Sequence, residues 1–177
     1  MTEALLKKQI MYSMVLAIEE DFIQTFLSKL TLVDLRPTQI AKAEEAKCNA
    51  GDFESILRAL DLQAFIEICC NNVLKLGITI YEKKFLNTDL CQIIPIRNRV
   101  MHPRILEFFD YPKMSECFHN VDQHILFVDW KNVKLTKYLL ENNPEKLPKC
   151  PHGLVKKLGI IDNIPEVTDF DDTSFIG

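Results

Sequence analysis

Glycine is scarce in this chain: there are five in 177 residues, each isolated from the others. The sequence therefore holds no Gly-rich loop to cradle a phosphate. Apolar residues recur at helical rather than alternating spacing, which argues against a sheet protein. Long hydrophobic runs are also missing. No stretch nears the roughly 20 apolar residues that span a bilayer. The opening Met-Thr-Glu-Ala-Leu-Leu-Lys-Lys lacks the charged-then-apolar order of a secretory signal. Together these absences predict a cytoplasmic protein with no membrane partner.

No Cys-x-x-Cys pair occurs. The six cysteines (Cys48, Cys69, Cys70, Cys91, Cys117 and Cys150) are scattered, and in a cytosolic helical chain they read as small buried apolar residues, not bridges. Two Cys-x-His pairs, Cys117/His119 and Cys150/His152, do not have zinc-finger spacing. Neither metal nor cofactor is expected. An excess of positive charge is missing too. A net charge of -4 disfavours coating nucleic acid by broad charge, which needs many phosphate contacts. It leaves room for a narrow cleft in which a few arginines hold one phosphodiester.

What the chain does have is helical periodicity, with 47% apolar residues and length enough for one domain plus a tail. Residues 3–30 read as one long helix or two nearly collinear ones, with Leu6, Ile10, Met14 and Ile18 on one stripe and Met11, Val15, Phe22, Phe26 and Leu30 beside it. Glu19-Glu20-Asp21 interrupts that pattern and reads as a solvated face with room for a bend. Pro37 opens a second helix. Asp52 caps a short helix through Ala59, and Asp61 caps a strongly apolar one that Gly77 ends. The all-round hydrophobicity of this last helix suggests a central position. Residues 78–84 read as a helical extension or connector.

Asn87 or Thr88 can cap the next helix, which Pro95 kinks or restarts and which Pro103 ends at His102. A further helix is expected over roughly residues 112–127, with Met114, Cys117, Phe118, Val121 and Ile125 inward. Asp129 then caps a last one through Leu140. Trp130, Phe108 and Phe109 read as packing residues, and His119 and His124 as surface or core-edge residues. The helical domain thus occupies residues 1–142, and residues 143–177 form an irregular tail, acidic from residue 163.

Between Cys91 and Leu106 stand three arginines and one histidine, and no acid. Within this cationic island Arg97, Asn98 and His102 make an Arg-Asn-x-x-x-His pattern among Ile93, Ile94, Ile96, Val100 and Met101. At about 100° per residue, Asn98 and His102 share a helical face and Arg99 lies on the adjacent ridge. Asn98 can therefore hydrogen-bond the imidazole and fix its tautomer. Arg97 lies about 140° from His102 on a straight helix, and its long side chain would have to curl to the same place, with Arg104 joining from beyond Pro103. Cleaving RNA without metal needs a base for the 2′-hydroxyl, an acid for the leaving 5′-oxygen and positive charge for the transition state. Histidine transfers protons near neutral pH, and a guanidinium grips two phosphate oxygens at once. One chain offers one motif histidine, so a complete site requires two chains. Structurally, an Arg-Asn-Arg at a helix end also serves as a plain solvated surface, and a histidine there as a dipole partner.

The run Ile-Arg-Asn-Arg-Val-Met-His-Pro-Arg resembles the Arg-polar-x-x-x-His signature of the HEPN superfamily, small helical domains found in ribonuclease toxins, abortive-infection proteins and the fronts of larger defence proteins. The resemblance is confined to residues 93–105 and to helix order elsewhere. It implies an all-α, HEPN-like antiparallel bundle with additional helices. It further implies a homodimer through the motif face, RNA as substrate, and a composite site that leaves a cyclic phosphate. Arg97 and His102 would be catalytic; Asn98, Arg99 and Arg104 would support them or bind phosphate. Some HEPN toxins carry a tyrosine two residues after the histidine; here Arg104 stands there, which puts that mode of control in doubt. The terminal Asp-Asp-Thr-Ser-Phe-Ile-Gly resembles the lead-in to P-loop modules of signalling and defence proteins, so a downstream NTPase domain is expected. The leading expectation is a metal-independent endoribonuclease, the effector of a prokaryotic defence protein. The alternatives are a non-catalytic module for dimerisation or for RNA or nucleotide binding, and a sensor domain of an NTPase.

Overall fold

The computed structural model describes residues 3–46, 51–102 and 104–148, and among them the chain is all-helical with no strand. The expected linker at 163–177 and the Cys150/His152 pair lie outside the described residues. The first helix, α1 (Glu3–Lys29), is continuous, with no break at the acidic cluster. Its neighbours in chain order are α2 (Pro37–Glu45), α3 (Phe53–Arg58), α4 (Leu62–Asn71), α5 (Val73–Leu76), α6 (Ile80–Phe85), α7 (Ile94–Met101), α8 (Asp110–Asn120) and α9 (Lys131–Asn142). Of these, α3, α4, α7, α8 and α9 pack on α1. The helix at the centre is thus α1. Every residue from Met11 to Ile23 is buried in it, a run that a one-sided stripe cannot produce.

Local signals account for most of the helix ends. Pro37 sits in the first turn of α2, where a missing N–H costs nothing. The Asp52 and Asp61 carboxylates accept the N–H groups of Glu54 and Ala64 at 3.3 and 3.1 Å, capping α3 and α4. Thr79 and Glu82 form a reciprocal capping box that starts α6. Asn72 divides the expected single helix into α4 and α5, because its side chain donates to the Ile68 carbonyl at 2.9 Å and to the Asp34 carbonyl at 3.3 Å. Leu74, on the short α5, is 95% exposed, so the apolar character of this segment is buried only along part of its length.

Gly77 stops α5 with φ of 66°. A Cβ there would touch nothing within 4 Å, so Gly77→Ala is expected to cost only the left-handed backbone penalty, about 1 kcal/mol, seen as a small fall in urea midpoint with unchanged slope.

Three further expectations are corrected. Asn87 and Thr88 do not cap the motif helix; they lie in a π-helical turn, Leu86–Leu90, and the chain restarts at Ile94 with Pro95 in the first turn. The helix expected to reach residue 127 ends at Asn120 and continues as two 3₁₀ turns, which leaves Ile125 77% exposed and turns Phe127 inward instead. Asp129 is exposed and caps no helix among the described residues; the cap of α9 comes from α1. Trp130 packs as expected. It is buried, edge-on to Phe22 and Phe127, with its indole N–H donating to Thr25 Oγ1 at 3.0 Å.

Candidate functional site

The acidic cluster is where sequence reading and structure part most sharply. Glu19, Glu20 and Asp21 are 0%, 3% and 3% exposed, not a solvated face. Successive residues of a helix point about 100° apart, so three adjacent acids in a central helix fan toward three different neighbours. Glu19 Oε2 accepts from Arg97 Nε of α7 at 3.1 Å. Glu20 takes both terminal nitrogens of Arg58 of α3, at 2.6 and 3.0 Å. Asp21 accepts the Asn132 and Val133 N–H groups at 3.1 and 2.8 Å and the Asn132 amide at 2.9 Å, at the first turn of α9. The trio therefore ties α7, α3 and α9 to the same level of α1. Buried carboxylates survive only with such partners.

Burial pushes the Asp21 carboxyl up from 3.8 to about 7, against the pull of Asn132 and the Val133 N–H. Below about pH 4 the group is protonated folded or unfolded; between there and 7 only the folded state keeps the proton, so stability falls as pH rises through this window. Asp34, Asp61 and Asp110 are shifted the other way and favour the fold as pH rises. A comparison with Asp21→Asn cancels their contribution. The stability of wild type relative to Asp21→Asn is expected to decline from pH 4 to pH 7 and then level off, measured by urea unfolding at each pH; a flat difference would contradict it.

The motif residues are placed as follows. Helix α7 ends at Met101, and His102 is its extended C-cap, with φ of −112° and ψ of 158°, the geometry that a following proline favours. The His102 N–H donates to the Asn98 carbonyl at 3.2 Å and its side chain is exposed. Arg97 points away from it, into the core, 7% exposed on Glu19. Asn98 Oδ1 accepts from an Arg97 terminal nitrogen at 3.2 Å, so the amide expected to orient the imidazole instead serves the arginine next to it. Arg99 binds Asp110 through two bonds of 2.8 and 2.7 Å, and Asp110 also accepts the Glu107 N–H at 2.8 Å. Arg99 thereby closes the loop between α7 and α8. Arg104 is exposed. Its carbonyl accepts from Lys8 of α1 at 3.0 Å, and that ammonium also reaches the His102 carbonyl at 3.5 Å.

The structure thus brings His102, Arg104 and Lys8 together at the surface and keeps Arg97 and Arg99 as internal ties. Lys8 was missed by sequence reasoning, since it stands 94 residues before His102 in the chain. Phe108 and Phe109, expected to pack, are 88% and 62% exposed in the loop that follows this cluster in the chain.

Elsewhere the chemistry is quiet. Cys69, Cys70, Cys91 and Cys117 are free thiols, and burial pushes Cys117 up to about 12. His119 is exposed, and the half-buried His124 stacks on Phe85 at 4.3 Å. Among the described residues no three His, Cys, Asp or Glu side chains are grouped to hold a metal, and no helix is long and apolar enough to cross a membrane. A cleft of about 490 Å³ lies away from the motif, between the end of α1 and the start of α9, where Gln24, Lys29 and Lys131 line it. Comparison with protein-family models, curated proteins and solved structures gave no match.

Proposed function

We propose that this all-α domain is a HEPN-type, metal-independent endoribonuclease that works as a homodimer, the effector part of a defence protein. The observation that supports this reading is the placement of His102. The imidazole stands in solvent at a helix end that is fixed from three sides: by the Glu19–Arg97 ion pair, by the Arg99–Asp110 pair and by Lys8 on the carbonyls beyond the helix. A proton-transfer group is useful when it is both reachable and held.

In this reading one His102 takes the proton of the 2′-hydroxyl as the oxygen attacks the adjacent phosphorus. The His102 of a second chain gives a proton to the departing 5′-oxygen, and the product carries a 2′,3′-cyclic phosphate. Gripping the phosphate through Arg97 would require its guanidinium to leave Glu19. As folded, Arg97 is a positioning residue and Arg104 is the cation presented beside His102.

A single 2′-deoxy substitution in an otherwise cleavable oligoribonucleotide tests the chemistry. Cutting is expected to vanish at that linkage alone; cutting that persists there would refute an internal nucleophile. One observation favours a second reading, a non-catalytic module for dimerisation or RNA binding: the arginine of the motif is buried on Glu19 and Asn98, as in a purely structural tie. That reading expects no cleavage by wild type under any condition.

A further inference from the structure

Phe108 and Phe109 stand at the exposed end of the loop that follows His102. Their rings are 4.9 Å apart and perpendicular, and Ile105, earlier in the same loop, is 91% exposed. Leaving three large apolar side chains in water is unfavourable for folding, and the loop that carries them is pinned at its end by the bonds of Arg99 and the Glu107 N–H to Asp110. We propose that these two rings are a stacking platform for the bases of single-stranded RNA entering at His102, an inference that rests on the nuclease reading above.

Charge selects this occupant. The same loop begins with His102 and Arg104, both exposed, and Lys8 of α1 reaches the carbonyls of both; three such groups suit a phosphate backbone. The single acid of the loop, Glu107, lies 3.7 Å from Arg99 and is partly offset by it. Ring faces bind any base with little sequence preference, while paired bases in a duplex are not available to them.

The test uses a short oligoribonucleotide carrying 2-aminopurine, titrated into His102→Ala protein so that the RNA stays whole. Binding is expected to quench the 2-aminopurine. Replacing both Phe108 and Phe109 by alanine is expected to weaken binding about tenfold or more and to abolish the quench; tyrosine at both positions restores it. With His102 intact, the double alanine variant raises KM more than it lowers kcat. Both side chains are exposed, so melting followed by Trp130 stays as in wild type. Unchanged affinity and KM in a cutting enzyme would overturn the platform alone. So would a shift from dimer to monomer on sedimentation, which assigns the rings to a subunit contact. RNA left uncut by wild type would overturn the nuclease reading, and this inference with it.

Discussion

Glu19→Ala is expected to destabilise the fold by about 3–5 kcal/mol, the usual consequence of leaving one member of a buried ion pair alone. Glu19 is fully buried and Arg97 is 7% exposed, so water cannot take over the role of the lost carboxylate. Domains of this size are stable by about 5–15 kcal/mol, so the loss is a large share of the total, and the melting temperature should drop by about 10 °C. Trp130, the one tryptophan of the chain, is buried against Phe22 and Phe127, and its fluorescence reports the transition. The double variant Glu19→Met with Arg97→Met removes both charges and is expected to recover most of the loss, since a buried pair gains little over apolar residues of similar size. A single-variant effect below about 1 kcal/mol would mean that Arg97 reaches solvent.

His102→Ala should do the opposite: leave the fold intact and end the chemistry. The side chain is exposed, and only the backbone of His102 forms hydrogen bonds among the described residues. Stability is expected to stay within about 0.5 kcal/mol of wild type. Loss of a positioned proton-transfer group lowers rates by about 10²–10⁴, and a two-fold site loses acid and base together. Arg97→Ala also lowers activity in this account, but it melts earlier because it empties the Glu19 pair. Comparing cutting rate with melting temperature across the two variants separates chemistry from support. Equal losses of stability in both would contradict the assigned roles.

These two residues also show what the sequence discloses and what it does not. The position of His102 follows from local rules: a proline after it disfavours helical geometry, so the imidazole comes at a helix end. The same applies to Pro37, Asp52, Asp61 and Gly77, whose signals lie within a few residues of what they control. The partner of Arg97 is 78 residues away, and no local rule reaches it. Glu19-Glu20-Asp21 reads as a solvated face because acids are rarely buried unless paired, and their partners Arg58, Arg97 and Asn132 lie in three other helices. The cap of α9 is hidden for the same reason: Asp129 has the right spacing, but Asp21, 111 residues before Asn132, makes the bonds. Exposure of Phe108 and Phe109 is a matter of how the loop between α7 and α8 packs and is equally invisible to composition.

In the proposed reading an imidazole, without a metal, cuts RNA on this scaffold. End-labelled single-stranded RNA incubated with the wild-type chain in EDTA, with product ends identified by mass spectrometry, tests it most directly. Fragments ending in 2′,3′-cyclic phosphate, absent with His102→Ala, are the predicted result. Intact RNA with wild type, or fragments that His102→Ala yields equally well, would contradict it.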